Sequence, residues 1–224
     1  MFFKGEGVFE GLGLNKLDEN YIWPKRGDFP IYQGVTFKGS NYSKNIQLKE
    51  AFPALWKNND NDKFHLAKWI IKDWGGIKRN KDETISNHLK ITRNSNDYFP
   101  LKGVASYSKI LSFIEPDNFA IYDARVAASL NGIQLLSKSK KSVLWNNLDG
   151  RNKKIELFKK TLASDSRLES LGWTKIRNDE CYKHYNYILK NILEKFPDFR
   201  LFHLEMSLFA NAEEIADLCL NLNN

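Results

Sequence analysis

The chain has 224 residues, 34 Lys+Arg against 27 Asp+Glu, a formal charge of +7, and 42% apolar, 13% aromatic and 27% charged residues. That composition supplies one sizeable core or two small ones, and it excludes disorder, collagen and coiled coil as the main state. No window approaches the roughly 18 consecutive apolar residues of a membrane span, and Met1-Phe2-Phe3-Lys4-Gly5-Glu6 lacks the apolar core of a secretory signal.

The expectation is a soluble, cytoplasmic protein with no membrane partner. Cys181 and Cys219 are the only cysteines. They are too few for a disulfide scaffold or a four-Cys metal site, and they read as two buried thiols in a reducing compartment.

Residues 1 to about 45 carry Gly5, Gly7, Gly11 and Gly13, then Tyr21-Ile22-Trp23-Pro24 and Pro30-Ile31-Tyr32-Gln33-Gly34-Val35-Thr36-Phe37. The glycines argue against helix, and the β-branched and aromatic residues beside proline predict short strands or an ordered arm. Residues 46–224 read as a helical domain. Phe64, Ala67, Ile70, Ile71 and Trp74 recur at helical spacing behind the caps Asp60 and Asp62, with Gly75-Gly76 as the stop. A helix is expected from Thr84 to Thr92, and another from about Ser106 to Ile114, ending before Pro116. Asp123 caps a further helix whose apolar side is Ala124, Val126, Ala127 and Leu130 and whose stop is Gly132. More helices are expected around 141–147, 151–163, 179–196 and 202–221, the last two separated by Pro197. The fold class is therefore mainly α, a bundle-like domain with a small β-containing N-terminal segment and no internal repeat.

Between Lys138 and Lys160 there are eight basic residues (Lys138, Lys140, Lys141, Arg151, Lys153, Lys154, Lys159, Lys160) and two acidic ones, Asp149 and Glu156. Such a block suits a polyanion, because each neutralised phosphate releases condensed counterions; a solvated helical face is the plainer alternative. The stretch from Glu205 to Asn224 is acidic and apolar, which predicts packing on the protein instead.

The informative stretch is Leu101-Lys102-Gly103-Val104-Ala105-Ser106, then a helix, then Phe119-Ala120-Ile121-Tyr122-Asp123-Ala124-Arg125-Val126. Two helices joined by a tight glycine-containing turn, over about 94–114, would aim backbone amides outward at the start of the second helix. That arrangement binds a phosphate without reading a base. Asp123 follows an apolar, strand-like segment at another helix start, where the helix dipole favours negative charge.

At these residues the sequence resembles the helix–hairpin–helix DNA glycosylase superfamily, whose pattern is L-P-G-V-G, a helix, an apolar run and V-D-x-H-V. Leu204-Glu205-Met206-Ser207-Leu208-Phe209, preceded by Tyr182, Tyr185 and Tyr187, is similar to the ending of small bacterial 8-oxoguanine-glycosylase-like proteins, and with Trp69 to Gly76 that likeness extends over roughly residues 55 to 215. The resemblance implies a double-stranded DNA partner, a monomer and no cofactor. Asp123 would be the catalytic carboxylate, since positive charge develops on the sugar only at the transition state. Lys102, Gly103, Val104, Ala105 and Ser106 would form the phosphate-binding hairpin, and Arg125 would contact phosphate where the family often has His.

Lys102 replaces the family's Pro and Ala105 its second Gly. In members that also cut the strand, a hairpin lysine attacks the sugar. Lys109 is the nearest candidate, two residues later than the pattern, with Tyr107 at the expected position, so a monofunctional enzyme using activated water is expected. Trp23, Tyr107, Trp173 and Tyr182 are the candidates for stacking on an extruded base. His65, His88, His184 and His203 show no ligand spacing and no metal is expected. The glycine-rich N-terminus lacks the Lys-Ser/Thr of a phosphate loop, and its expected use is as an arm or one wall of the pocket.

The resemblance implies excision of an oxidised purine, as in 8-oxoguanine repair. It also fits antiphage defence by removal of bulky modified bases such as glucosylated 5-hydroxymethylcytosine from phage DNA. We favour the modified base because the Gly, Trp and Tyr of residues 1–45 suit an enlarged pocket, provided that segment lies beside Asp123. Two other classes stay open, a non-catalytic DNA-binding module and a helical scaffold for another protein. Asp123 as a plain helix cap, Lys109 as a surface or phosphate-contacting lysine and the aromatic residues as core are the bland readings of the same positions.

Overall fold

A computed structural model describes residues 13–23, 29–32, 35–58, 62–93, 98–138 and 142–222. Gly5, Gly7, Gly11, Pro24, Gln33, Gly34, Asp60, Lys140 and Lys141 of the sequence reading lie outside the described residues. Among the described residues the architecture is mainly helical, with one two-stranded parallel sheet.

The N-terminal segment departs from expectation. A 3-10 turn over Leu14–Lys16 runs directly into a short helix, α1 (Leu17–Asn20), and among the described residues β pairing there is limited to one bridge between Tyr32 and Val35. Gly13 sits in the left-handed region at φ 62 and starts the turn rather than preventing it. Leu14 and Leu17 then bury against the main core. Helix α2 (Asn41–Asn58) crosses the expected boundary near residue 45 and carries Pro53 within it.

Helix α3 (Lys63–Lys68) continues into a π-helical turn over Trp69–Trp74, closed by hydrogen bonds from Gly75 N to Ile70 O at 2.8 Å and from Ile77 N to Ile71 O at 2.9 Å. The wider turn buries Trp69, Ile70, Ile71 and Trp74 together, and such turns concentrate at functional sites. Helix α4 (Asp82–Arg93) has acidic residues in its first turn and basic ones in its last, as the helix dipole prefers. Helix α5 (Val104–Ile114) follows the turn at Leu101–Gly103 and stops at Glu115.

Helix α6 (Ala124–Leu136) does not end at Gly132. This glycine is where helix α10 (Leu201–Asn221) crosses closest: a Cβ there would lie 2.4 Å from Ile215 Cγ2. Close packing, not helix termination, explains the residue. The region expected to be helical at 141–147 instead holds strand β1 (Val143–Leu144), paired in parallel with β2 (Thr174–Lys175). Side-chain amides from α6 dictate this: Gln134 accepts from Val143 N and donates to Val143 O, and Asn131 does the same for Trp145. These buried amides act as a neighbouring strand would, satisfying backbone groups that a helix would have paired internally.

Helices α7 (Lys153–Thr161), α8 (Asp165–Ser170) and α9 (Cys181–Leu193) complete the chain before α10. The main core gathers α5, α6, α7, α9 and α10; a second cluster packs Leu48 and Phe52 of α2 against Leu66, Trp69, Trp74 and Phe113. Each large apolar side chain withdrawn in this way contributes roughly 1.5–3 kcal/mol. Between the two clusters lies a cleft.

Candidate functional site

The cleft has a volume of about 580 Å³, inside the roughly 300–1,000 Å³ range of small-molecule sites. Lys109, Asp123, Glu205, Tyr21, Trp23 and Trp74 line it, with the loop Asp149–Asn152 on the opposite rim.

Asp123 reaches the cleft because the segment before it is clamped. Residues 119–123 lie outside helix and strand, so their backbone needs outside partners. Asn186 Oδ1 accepts from Ala120 N at 2.8 Å, Tyr182 Oη donates to Ala120 O at 2.9 Å, Tyr185 Oη donates to Ile121 O at 3.0 Å, and Tyr122 N donates to Ser108 Oγ at 3.2 Å. At the end of this segment Asp123 caps α6, with Oδ1 accepting from Arg125 N at 3.0 Å and Val126 N at 3.1 Å. Both bonds fall on one oxygen, so the cap function leaves Oδ2 for the cleft.

Lys109 joins Asp123 there. It is 6% exposed, its Nζ donates to Ala105 O at 2.7 Å, and no carboxylate pairs with it among the described residues. Burial lowers its pKa from the ordinary lysine value; Asp123 and Glu205 push it back up, and Lys49 lowers it further. The register that made Tyr107 the expected position is not the one the cleft uses: Tyr107 is fully buried in the core, and its hydroxyl donates to Pro100 O at 2.8 Å.

Behind these two residues sits a buried ion pair, Lys49 Nζ to Glu205 Oε2 at 3.0 Å, joining α2 to α10. Burial raises the Glu205 pKa, which the Lys49 ammonium pulls back down. The Lys49 ammonium also lies 5.7 Å from the ring centres of Phe113 and Phe202.

One wall is aromatic. Trp23 packs edge-on against Trp74 and Phe209, with centroids at 6.1 and 5.5 Å, and Tyr21 lies 5.9 Å from Phe209. Asn45 fixes this wall: its Nδ2 donates to Trp23 O at 2.8 Å and its Oδ1 accepts from Trp74 Nε1 at 2.8 Å. Residues of the N-terminal segment therefore do stand beside Asp123.

Of the four stacking candidates, Trp23 alone lines the cleft. Tyr107 and Tyr182 have their rings enclosed in the core, and Trp173 is half-buried against the core away from the cleft lining. These three are corrected from stacking residues to packing residues. Tyr182 instead positions Asp123 through the Ala120 carbonyl.

In the hairpin, Gly103 adopts φ 84 as the N-cap of α5, and a Cβ there would lie 2.6 Å from His88 Cε1. Lys102 is exposed, Val104 is buried, Ala105 lines the cleft, and Ser106 is buried and accepts from Asn80 Nδ2 at 2.9 Å. Arg125 is not aimed at solvent: its Nη2 donates to Glu213 Oε1 at 2.6 Å and its guanidinium lies 5.0 Å from the Phe209 ring centre.

The basic block is partly neutralised within the protein, since Lys154 pairs with Asp217 and Lys159 with Asp149 and Glu156. Sequence reading missed the exposed Lys78, Arg79 and Lys81, whose loop runs from Ile77 in the cleft to Asn80 at the start of α5. It also missed Tyr21, Lys49 and Glu205 as site residues. The signal for Glu205 was present: a single carboxylate in the apolar run Leu201 to Phe209 must find a buried partner.

Among the described residues, no cluster of His, Cys, Asp or Glu could hold a metal ion, and no helix is long and apolar enough to cross a membrane. No family model matches the chain, and searches of curated proteins and of solved structures found no match.

Proposed function

We propose that the protein is a DNA glycosylase that extrudes a modified or damaged base from duplex DNA into the cleft and breaks its N-glycosidic bond. The observation that carries this reading is that Asp123 and Lys109, separated in sequence, line one aromatic-walled cleft beneath a glycine-capped helix start. A carboxylate fixed by two backbone amides is preorganised for the cation-like sugar of the transition state and needs no reorientation as charge develops. Trp23 offers a π-face to the departing base. Extrusion costs a few kcal/mol, which the exposed cations of Arg79, Lys81 and Lys102 would offset. Tyr21 and Trp23 beside Asp123 support a pocket for a base larger than a simple damaged one, with phage DNA carrying modified bases as its source.

A second reading concerns the nucleophile. Water activated at Asp123 would leave an abasic site, whereas the Lys109 amine would form an imine with the sugar and open the way to strand cleavage. The position of Lys109 in the cleft, against the enclosed Tyr107, favours the amine.

The test is base release from duplexes containing 8-oxoguanine, uracil, alkylated purine, 5-hydroxymethylcytosine or its glucosylated form, with undamaged duplex and Asp123→Asn as controls. Release from one duplex, lost in the variant, supports the glycosylase; borohydride trapping of protein on that duplex, lost in Lys109→Gln, supports the amine. Tight, salt-dependent binding with no release from any duplex points to a non-catalytic module.

A further inference from the structure

The buried pair of Lys49 and Glu205 is given no direct part in the proposed base release, yet Glu205 lines the cleft together with Lys109 and Asp123. Two buried cations and two carboxylates thus meet at one end of the cleft. They come from four helices: Lys49 from α2, Lys109 from α5, Asp123 at the start of α6 and Glu205 from α10. The pairing among them is selective. Glu205 Oε2 lies 3.0 Å from Lys49 Nζ, while Lys109 Nζ gives its hydrogen bond to the uncharged Ala105 carbonyl.

We propose that Lys49 and Glu205 are positioning residues for Lys109: by holding the Glu205 carboxylate, Lys49 keeps it from forming an ion pair with the Lys109 amine and so maintains that amine in a reactive form. The inference rests on the reading of the cleft as the reacting site. An amine locked to a carboxylate stays protonated and has no lone pair for addition, whereas a desolvated amine next to a second cation deprotonates readily. Other titratable groups face the same space: Tyr21 following α1, and Arg125, Asp149 and Arg151 on the rim. The lowering of the Lys109 pKa by burial and by Lys49, against the opposing pull of Asp123 and Glu205, agrees with this arrangement.

The experiment is the pH dependence of reductive methylation of Lys109 by formaldehyde and cyanoborohydride in the intact protein without DNA, read by peptide mass spectrometry. Lys49→Met frees Glu205 for Lys109, and the midpoint should rise by about one pH unit or more; Glu205→Gln leaves Lys49 as an uncompensated cation, and it should fall by a similar amount. Lys49→Arg should restore a midpoint close to that of the unchanged protein. Midpoints that stay put in both charge-removing variants, or that move in the same direction, overturn the proposal. If circular dichroism shows that Lys49→Met does not fold, Glu205→Gln decides alone, because it keeps both shape and an acceptor for Lys49. The readout involves no base release, so midpoints that move as expected while every duplex remains intact would support the pairing and overturn the glycosylase.

Discussion

Gly75 leaves open the space that the Lys109 stem borders: a Cβ on Gly75 would stand 2.9 Å from Lys109 Cδ and 2.8 Å from each of the Ile70 and Ile71 carbonyl oxygens. The Gly75 backbone is ordinary right-handed helical at φ −78, so the glycine supplies space, not conformational freedom. The π-helical turn before it aims two carbonyls into that space, and the lysine stem fills the remainder. Gly75→Ala should therefore lower stability by about 1–3 kcal/mol in urea unfolding, because the backbone carbonyls cannot yield as a flexible side chain would.

Asp123 has two roles that substitution can separate. Asparagine caps a helix about as well as aspartate, so Asp123→Asn should change stability by less than about 0.5 kcal/mol, whereas Asp123→Ala should cost about 1 kcal/mol. Both should abolish base release under the proposed reading, since neither supplies a negative charge. Denaturant unfolding run beside the release assay checks this, and an active Asp123→Asn protein would remove the carboxylate from the chemistry.

The helical class and most helix limits after residue 60 were legible because apolar residues recur at helical spacing and prolines and caps punctuate them. The stretch at 141–147 was not, because its extended form depends on Asn131 and Gln134, which hold its backbone from a helix elsewhere in the chain. Gly132 misled for a related reason: a glycine placed for a helix crossing has the same one-letter signature as a glycine placed to stop a helix. At the site, Asp123 was readable from its local context. Lys109 was read by counting from a pattern, and the cleft follows helix geometry instead. Lys49 and Tyr21 had no local signal, because their roles exist only once α2 and α10 have met.

His203 gives a pH dependence with a definite sign. Its Nδ1 accepts from Arg200 N at 2.8 Å, and burial, followed by the Arg200 and Lys49 charges, pushes its pKa down from 6.5 to about 4. Below pH 6.5 the unfolded chain takes up a proton that the folded form refuses, so stability present above that pH is lost progressively down to about pH 4. Thermal unfolding should show Tm falling across this window. His203→Asn, which keeps an acceptor for Arg200 N without a titrating ring, should flatten part of the slope.

The cations of the 78–81 loop and those of the 138–160 block should behave differently toward DNA. Arg79 and Lys81 are exposed beside the start of α5, while Lys154 is engaged by Asp217. Arg79→Ala and Lys81→Ala should each weaken duplex binding and reduce the slope of log affinity against log salt by about 1 for each phosphate that is no longer neutralised. Lys154→Ala should leave that slope unchanged. Fluorescence anisotropy over a potassium chloride series distinguishes the two groups.

The ion pair between Lys49 and Glu205 spans 156 residues of sequence, and that separation has a kinetic consequence. As the chain leaves the ribosome, α2 emerges long before α10, and its lysine is destined for an interior that does not yet contain a countercharge. Burying Lys49 before Glu205 arrives would strand an ammonium in apolar surroundings, so this part of the cleft should close only after α10 is synthesised. Contacts of such long range also carry a large loop-closure cost and slow the folding step that makes them. The end of the cleft that holds Lys109 and Asp123 is thus expected to form only once α10 has joined α2.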